Sequence, residues 1–475
     1  MSTTSAASGR IKNLLDDNSF VEIGSLVTAR STDFNLKPTE TPSDGCVTGY
    51  GTIDENLVYV YSQDASVLGG TIGEMHAKKI VNLYNLALKM GAPVIGIIDC
   101  AGLRLQEATD ALNAFGEVYA KQVAASGVIP QITAIVGSCG GGLALFPTLT
   151  DFTFMLKEKA KLFVNSPNAL AGNTAEKNNT AAAAFQATEA GLVDVVDDED
   201  ELFARIRSLI GFLPANNYDV NDVECTDDLN RTFDNLEGFA GDTAELLKVV
   251  ADDNDFFEIK SAFAPEMVTG FIRLDGVTVG CVANRSEILP DGDAEGRKFD
   301  TVLTTSGCYK AEEFIKFCDA FEIPVLSLTN VNGYEATVAS EKTIARAAAK
   351  LTAAFASASV PKVNLVVGKA FGTAANVMNS KAVGADITMA WPDAKIGTMD
   401  SKLAAKIMYD GQGSDVIDAK AKEYEELTLN VGSAARRGYV DQIVEPSETR
   451  KYIIGAFEML LSKQEMAYDK KHVTI

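Results

Sequence analysis

Two copies of one pattern run through the sequence, and this duplication constrains the fold more than any other feature. Residues 11–23 read IKNLLDDNSFVEI, and residues 247–259 repeat them closely as LKVVADDNDFFEI. Self-similarity over such a distance indicates a duplicated domain. We therefore expect two homologous domains, at about residues 1–220 and 236–475, on either side of a polar linker.

Each copy also predicts the same order of secondary structure. A hairpin of two strands leads to a long helix, a strand that follows a proline, a second helix and another strand that follows a proline. This alternation is typical of α/β proteins. The prolines before these strands are separated by a constant 231 residues, as Pro93 is from Pro324 and Pro130 from Pro361. With 475 residues, of which 47% are hydrophobic, the chain is long enough for two cores.

A glycine-rich stretch follows the second proline-led strand in each half. Residues 132–145 read ITAIVGSCGGGLAL, which predicts a strand over 132–136, a turn over 137–142 and then a helix. The shift of 231 places GKAFGTAANVM, at 368–378, on the equivalent stretch. N–H groups at a helix N-terminus suit a phosphate, a carboxylate or a developing oxyanion. Tight packing explains a single such turn equally well, but two copies favour a paired ligand site.

Composition excludes several functional classes. The formal net charge of −23 argues against a general nucleic-acid binder, which would carry a basic face. The seven cysteines form no CxxC pair, so we expect reduced thiols in a cytoplasmic protein and no metal site. No apolar run is long enough to predict a membrane span. Only His76 and His472 are present, and we expect a structural role for His76.

Several long stretches resemble the biotin-dependent acyl-CoA carboxyltransferases. The runs VYVYSQDASVLGGTIGEMHAKKI and ASGVIPQITAIVGSCGGGLALFPTLTDFTFM are similar to the acyl-CoA half of that family. The run VGKAFGTAANVMNSKAVGADITMAWPDAKIG is similar to its biotin half. The resemblance implies an α/β fold of two crotonase-like domains in tandem, each a ββα superhelix. It also implies a homo-oligomer, a hexamer built as a trimer of dimers.

The family pattern implies two sites that stabilise oxyanions through backbone N–H groups. Those of Gly142 and Leu143 would face the thioester oxygen of acyl-CoA. Those of Thr373 and Ala374 would face the ureido oxygen of biotin. These four are the predicted catalytic residues. The predicted substrate-binding residues are Gly102, Leu103, Gly141, Gly372, Ala375 and Asn376.

The chain departs from the family pattern around the second turn. Thr373 and Ala375 stand where the family usually has glycine and tyrosine, and Asn376 stands where it often has aspartate or an aliphatic residue. The loop at 330–334 lacks the usual Pro-Gly-Phe. These changes indicate a divergent subgroup, because both glycine turns persist.

The resemblance implies a carboxyltransferase subunit of an acyl-CoA carboxylase. It would move a carboxyl group between N-carboxybiotin and the α-carbon of a short acyl-CoA, such as propionyl-CoA. We expect biotin to arrive on a separate biotin carboxyl carrier protein. The expected partner is then a biotin carboxylase subunit or a membrane decarboxylase subunit.

Three alternatives stay open at this point. The first is the carboxyltransferase subunit of a decarboxylase for methylmalonyl-CoA or glutaconyl-CoA. The second is a crotonase-type hydratase or isomerase, which would need a carboxylate poised beside the acyl chain. No glutamate adjoins the turn at 137–142, which argues against it. The third is a scaffold subunit that has kept the fold without catalysis.

Overall fold

The computed structural model describes residues 5–30, 40–290, 292 and 295–465. It divides into two compact units, Met1–Asn221 and Asp222–Ile475. Each unit contains one large mixed sheet with helices, and the strand topology of the first sheet is repeated in the second. Residues 213–235, the expected linker, contain no helix or strand, and Leu229 and Phe233 pack on the core of the second unit.

The sheet of the first unit begins as an antiparallel meander and continues as a parallel sheet. Its strand order is β1-β2-β3-β4-β5-β6-β8, and β7 pairs with the end of β5. β4, β5, β6 and β8 all run parallel to β3. The strands are β1 (Val21–Ile23), β2 (Cys46–Ile53), β3 (Asn56–Gln63), β4 (Val94–Cys100), β5 (Gln131–Gly140), β6 (Phe152–Leu156), β7 (Lys161–Phe163) and β8 (Val195–Asp197).

Two long helices, α2 and α3, connect the parallel strands of this unit. In α2 the buried positions Ile80, Leu83, Tyr84 and Ala87 recur at helical spacing, and Gly91 ends the helix with a left-handed φ of 61°. The helices are α1 (Ala6–Leu14), α2 (Glu74–Met90), α3 (Ala108–Ala125), α4 (Leu145–Thr148), α5 (Ala183–Thr188) and α6 (Glu199–Phe212).

The sheet of the second unit has the order β9-β10-β11-β15-β17-β18-β20, and β19 pairs with the end of β17. Two short pairs, β12 with β13 and β14 with β16, lie outside it. The strands are β9 (Phe256–Ile259), β10 (Met267–Leu274), β11 (Val277–Asn284), β12 (Glu287–Ile288), β13 (Arg297–Lys298), β14 (Val302–Leu303), β15 (Val325–Val331), β16 (Gly333–Tyr334), β17 (Lys362–Phe371), β18 (Ile387–Ala390), β19 (Lys395–Gly397) and β20 (Gln442–Ile443).

The helices of the second unit cover the same sheet on both faces. Leu246, Leu247 and Val250 of the first helix share a buried core with Ile453 and Phe457 of the last. The helices are α7 (Thr243–Val250), α8 (Thr305–Ala320), α9 (Ile344–Ser357), α10 (Gly372–Val377), α11 (Ser401–Met408), α12 (Ser414–Tyr424), α13 (Val431–Arg436) and α14 (Thr449–Leu460). A π-helical turn, Glu425–Leu429, follows α12.

The repeated aspartates of the two sequence copies have the same structural role. Asp16 accepts hydrogen bonds from the N–H groups of the β2–β3 turn and pairs with Arg207 of α6 at 2.9 Å. Asp252 accepts from the β10–β11 turn and pairs with Arg450 of α14 at 2.6 Å. In each unit this aspartate therefore joins the first helix, the hairpin and the last helix.

One sequence expectation is wrong in its boundaries. The predicted turn at 137–142 is strand through Gly140, because residues 138–140 pair with β7 and Cys139 pairs with Cys100 of β4. The helical turn begins only at Gly141. In the second unit β17 likewise runs to Phe371 and α10 begins at Gly372. Glycines in a strand permit close approach of neighbouring groups, which the sequence does not distinguish from a turn.

Within the described residues, no helix is both long enough and apolar enough to cross a membrane.

Candidate functional site

The predicted residues of the first unit meet at the carboxyl edge of its parallel sheet. Cys100, the last residue of β4, pairs with Cys139 near the end of β5. Gly102 and Gly141 each lie two residues beyond that pair, so the two segments leave the sheet side by side. Ligands of parallel α/β sheets commonly bind at this edge.

The first turn has an open conformation that only glycine adopts readily. Gly141 has a φ of 65°, Gly102 has a φ of 109°, and a β-carbon at either would meet no atom within 4 Å. Gly142 is exposed, whereas the side chain of Leu143 is fully buried. Both residues belong to the first turn of the 3-10 helix Gly141–Ala144, in which the N–H of Gly142 precedes the first i→i+3 hydrogen bond and lacks a helical acceptor.

The second turn repeats this backbone conformation. Gly372 has a φ of 65°, identical to that of Gly141, and it also starts a helix. Thr373 and Asn376 are exposed on α10, Ala375 is half-buried and Ala374 is buried. The predicted residues of the second unit therefore lie together at the carboxyl edge of the second sheet.

A short parallel bridge holds the loop that flanks each turn. In the first unit Leu103 pairs with Ile72, and the Ile72 N–H donates to the carbonyl of Gly102 at 2.9 Å. In the second unit Leu303 pairs with Tyr334, and these residues lie 231 positions farther along. The duplication therefore extends to the loops beside both sites, which sequence comparison alone did not align.

Two tyrosines contact the predicted catalytic residues: Tyr119, which the sequence did not single out, and Tyr334, which lies in the divergent loop at 330–334. The hydroxyl of Tyr119, on α3, donates to the carbonyl of Gly142 at 2.6 Å. The hydroxyl of Tyr334, on β16, donates to that of Thr373 at 3.2 Å. Tyrosine recurs throughout α/β proteins as a packing residue, so only the fold reveals which of the 13 lie here.

Polar side chains from the neighbouring strand explain why the strand glycines are needed. A β-carbon at Gly137 would lie 1.9 Å from the carboxylate Oδ1 of Asp99. A β-carbon at Gly368 would lie 2.6 Å from the amide Oδ1 of Asn330. Asp99 and Asn330 occupy equivalent places on β4 and β15, so both glycines make room for a polar residue beside the turn.

The positive charge of Arg104, next to the loop of Gly102 and Leu103, is buried in an ion cluster. The Arg104 guanidinium lies 2.7 Å from Asp44 and 2.8 Å from Glu107, and it donates to the carbonyl of Thr71 at 2.7 Å. Only 4% of Arg104 is exposed. Burial raises the pKa of Asp44, against the opposing effect of Arg104. Because these contacts engage its guanidinium, Arg104 holds the loop in place and is not available to bind a phosphate.

His76 and two equivalent lysines are also structural. His76 is fully buried between Gln63 and the carbonyl of Asp44, and burial lowers its pKa to about 3. Lys79 and Lys310, 231 positions apart, each donate to backbone carbonyls, and burial lowers the pKa of both, that of Lys310 to about 8. The structural role expected for His76 matches its position.

The two cysteines nearest the first turn are packing residues. Cys100 and Cys139 are buried, and burial raises the pKa of the Cys100 thiol to about 12 and that of Cys139 further. Both thiols stay protonated at neutral pH, so neither is an activated nucleophile.

Comparison with known sequences identifies relatives that match nearly the whole chain. A family model described as the carboxyl transferase domain matches residues 4–475. The propionyl-CoA carboxylase beta chain of Roseobacter denitrificans is 39% identical over 98% of this chain and 92% of its own length. The methylmalonyl-CoA decarboxylase subunit alpha of Veillonella parvula is 38% identical over the same shares.

The fold has a close counterpart among solved structures. A crystal structure of hexameric transcarboxylase 12S, with methylmalonyl-coenzyme A and methylmalonic acid bound, superimposes with a TM-score of 0.90. The two chains are 32% identical, and the match covers 98% of this chain and 92% of the other. The predicted fold class, two crotonase-like α/β domains in tandem, is confirmed.

Proposed function

The chain belongs to the carboxyl transferase domain family, and from that premise we propose that it is the carboxyltransferase subunit of a biotin-dependent acyl-CoA carboxylase. It transfers a carboxyl group between N-carboxybiotin and the α-carbon of a short-chain acyl-CoA of the propionyl-CoA and methylmalonyl-CoA type. Relatives named for propionyl-CoA carboxylation and a counterpart with methylmalonyl-CoA bound support this substrate class.

The duplicated turn is the observation that carries the proposal. Carboxyl transfer to an acyl thioester develops negative charge on two oxygens, one on each substrate. The chain has two turns of matching backbone, each with a glycine of φ 65° before a helix. The N–H groups of Gly142 and Leu143 serve the thioester oxygen, and those of Thr373 and Ala374 serve the ureido oxygen. A preorganised donor of this kind contributes about 2.7–4 kcal/mol to transition-state stabilisation.

The residues around each turn fit these ligands. The open space at Gly102 and Gly141 leaves room for an acyl thioester, which a side chain at either position would occupy. Carboxybiotin, delivered by a carrier protein, would supply both the carboxyl group and the base that takes the α-proton. The buried His76 and the protonated Cys100 accordingly have no part in proton transfer. Gly372, Ala375 and Asn376 form the floor of the biotin-side pocket.

The decisive assay uses the purified chain with free biotin and a panel of malonyl-, methylmalonyl- and glutaconyl-CoA. Loss of the carboxyl group is followed by chromatography of the acyl-CoA products. Biotin-dependent turnover of methylmalonyl-CoA is the expected result. Binding of CoA esters without turnover of any of them contradicts the proposal and favours the scaffold alternative. Turnover of an enoyl-CoA without biotin favours a hydratase.

A decarboxylase subunit is the second candidate, and the Veillonella parvula relative favours it specifically. Both candidates transfer a carboxyl group between biotin and the acyl-CoA, and they differ in the direction of that transfer. Adding a biotin carboxylase, its carrier protein, ATP and bicarbonate to propionyl-CoA tests the carboxylase. Adding membranes of the source cells, the carrier protein and methylmalonyl-CoA tests the decarboxylase, in which a membrane subunit releases the CO2.

The expected partners follow from the same proposal. The chain works with a biotin carboxyl carrier protein and assembles as a hexamer built as a trimer of dimers, and the hexamer of transcarboxylase 12S supports the number of subunits. Sedimentation analysis of the purified protein measures the assembly directly. A monomer at micromolar concentration contradicts this part of the proposal.

A further inference from the structure

The peptide bond between Gly142 and Leu143 is held on its carbonyl side by a tyrosine. The hydroxyl of Tyr119 lies 2.6 Å from the Gly142 oxygen, and the N–H of Leu145 donates to the same oxygen. A carbonyl oxygen has two lone pairs, so this one is fully engaged. The carbonyl of Gly142 and the N–H of Leu143 belong to one planar unit and point in opposite directions.

We propose that Tyr119 is a positioning residue for carboxyl transfer. Its hydrogen bond to the Gly142 carbonyl orients the Leu143 N–H, on the opposite side of the same peptide group, toward the thioester oxygen. This inference rests on the proposed function of Gly142 and Leu143. A fixed carbonyl fixes the plane of the peptide and therefore the direction of its N–H. A hydrogen bond to the carbonyl also polarises the peptide and strengthens the opposite N–H as a donor.

The surroundings of Tyr119 keep its hydroxyl in place. Its ring contacts Phe146 at 5.7 Å and 82°, and Phe115 at 6.1 Å and 67°, both edge-on arrangements. One turn farther along α3, the side chain of Gln122 donates to the carbonyl of Phe146 at 3.2 Å. Since Phe146 lies on α4, directly after the turn, tyrosine and turn are anchored to the same aromatic cluster.

The lack of a side chain at Gly142 is part of this arrangement. A β-carbon there would lie 3.1 Å from the Tyr119 hydroxyl oxygen, which is too close for an undisturbed contact. Burial raises the pKa of Tyr119, so its hydroxyl stays a donor at neutral pH. The second unit has no tyrosine at the equivalent position to hold its turn. Lys350 stands in the place of Tyr119, and its amine lies over the ring of Tyr309.

The test is a double-substitution cycle on the full-length protein, measured in the biotin-dependent methylmalonyl-CoA assay. Tyr119→Phe removes one oxygen and keeps the ring. Gly142→Ala places a methyl group against the hydroxyl. We expect Tyr119→Phe to lower kcat roughly threefold to tenfold, the factor expected from losing an ordinary hydrogen bond. The KM for acyl-CoA should stay within about twofold, because an interaction of the transition state is lost.

The cycle separates positioning from packing. Since both substitutions disturb the same contact, their effects on kcat should overlap, and the double variant should be no slower than Gly142→Ala alone. Tyr59→Phe, on β3, is the matched control and should keep full activity with a similar unfolding midpoint. An unchanged kcat in Tyr119→Phe, or multiplicative effects in the double variant, overturns the role of Tyr119. Absence of turnover in the unaltered protein overturns the proposed function instead, and this inference with it.

Discussion

The hydroxyl of Tyr334 donates a hydrogen bond to the hydroxyl of Thr373, with 3.2 Å between the two oxygens. This hydrogen bond joins β16 to the first turn of α10, at the second glycine turn, through side chains alone. In the first unit the corresponding tie runs from Tyr119 to a backbone carbonyl. The two sites therefore share a backbone conformation but are stabilised by different contacts.

Thr373→Ala should keep most of the carboxyltransferase activity, within about tenfold of the unaltered protein. The predicted donor at this residue is the backbone N–H, which the substitution leaves in place. Loss of one solvent-accessible side-chain hydrogen bond costs only about 0.5–1.5 kcal/mol. Steady-state kinetics with methylmalonyl-CoA and free biotin measure the effect. A loss of more than a hundredfold would assign the hydroxyl itself a direct catalytic contact.

Ala374→Pro and Leu143→Pro should each reduce kcat by about 10²–10³-fold, because proline removes the N–H that we propose as the oxyanion donor. Both positions lie in a first helical turn, where proline is otherwise tolerated. Thr373→Ala is the matched control for the second turn. Circular dichroism and the unfolding midpoint establish that each variant is folded. Near-normal turnover in a folded Ala374→Pro variant would remove that N–H from the mechanism.

Arg450→Met should destabilise the protein by about 3–5 kcal/mol, because it leaves Asp252 as a buried charge without its main partner. Arg450 is fully buried and also donates to the carbonyl of Val250. The equivalent change, Arg207→Met, should cost about 1 kcal/mol or less, since that pair is partly exposed. Urea unfolding of both variants makes the comparison. Equal losses would mean that burial does not set the strength of these ion pairs.

His76 should make the stability of the protein depend on pH below neutrality. Its pKa is about 3 in the folded state and 6.5 as the unperturbed value, because burial disfavours the charged ring. Above pH 6.5 the ring is neutral in both states and the stability is at its full value. As the pH falls from 6.5 toward 3, only the unfolded state takes up the proton, so this group lowers stability by about 1.4 kcal/mol per pH unit.

The corresponding measurement compares urea unfolding of the unaltered protein with that of His76→Gln at pH 7.5, 6.0 and 5.0. Carboxylates contribute to both proteins, so the difference between their pH dependences isolates the histidine. The unaltered protein should lose more stability than the variant over this range. Parallel curves would show that His76 is protonated in the folded state.

The sequence predicts the general architecture well because the duplication is recorded in residues with strong local signals. The prolines before β4, β5, β15 and β17 and the repeated stretches at 11–23 and 247–259 aligned the two halves of the chain. The predicted strands that follow these prolines are present in both sheets. The family resemblance added the expected roles of the two glycine turns, whose placement at the sheet edges the structure describes.

The features that the sequence could not predict depend on contacts between residues that are far apart in the chain. Gly137 to Gly140 read as a turn, but pairing with β7 and β4 makes them strand. Arg104 pairs with Asp44, which lies 60 residues earlier in the chain, so its burial in an ion cluster could not be inferred from its sequence neighbours. Tyr119 gave no signal because its partner is a backbone carbonyl on another element. Such contacts exist only once the sheet has brought the elements together.

The aspartate, hairpin and arginine arrangement described above has a consequence for how each half of the chain can vary. In each unit the arrangement links the opening helix to the closing helix, through Asp16 and Arg207 in one and Asp252 and Arg450 in the other. A gene segment that starts before the aspartate and stops after the arginine therefore encodes both partners of the ion pair that joins the first helix to the last. Each unit therefore carries every partner of this link within itself, so either half of the chain can vary its glycine turn and still keep its first and last helices joined.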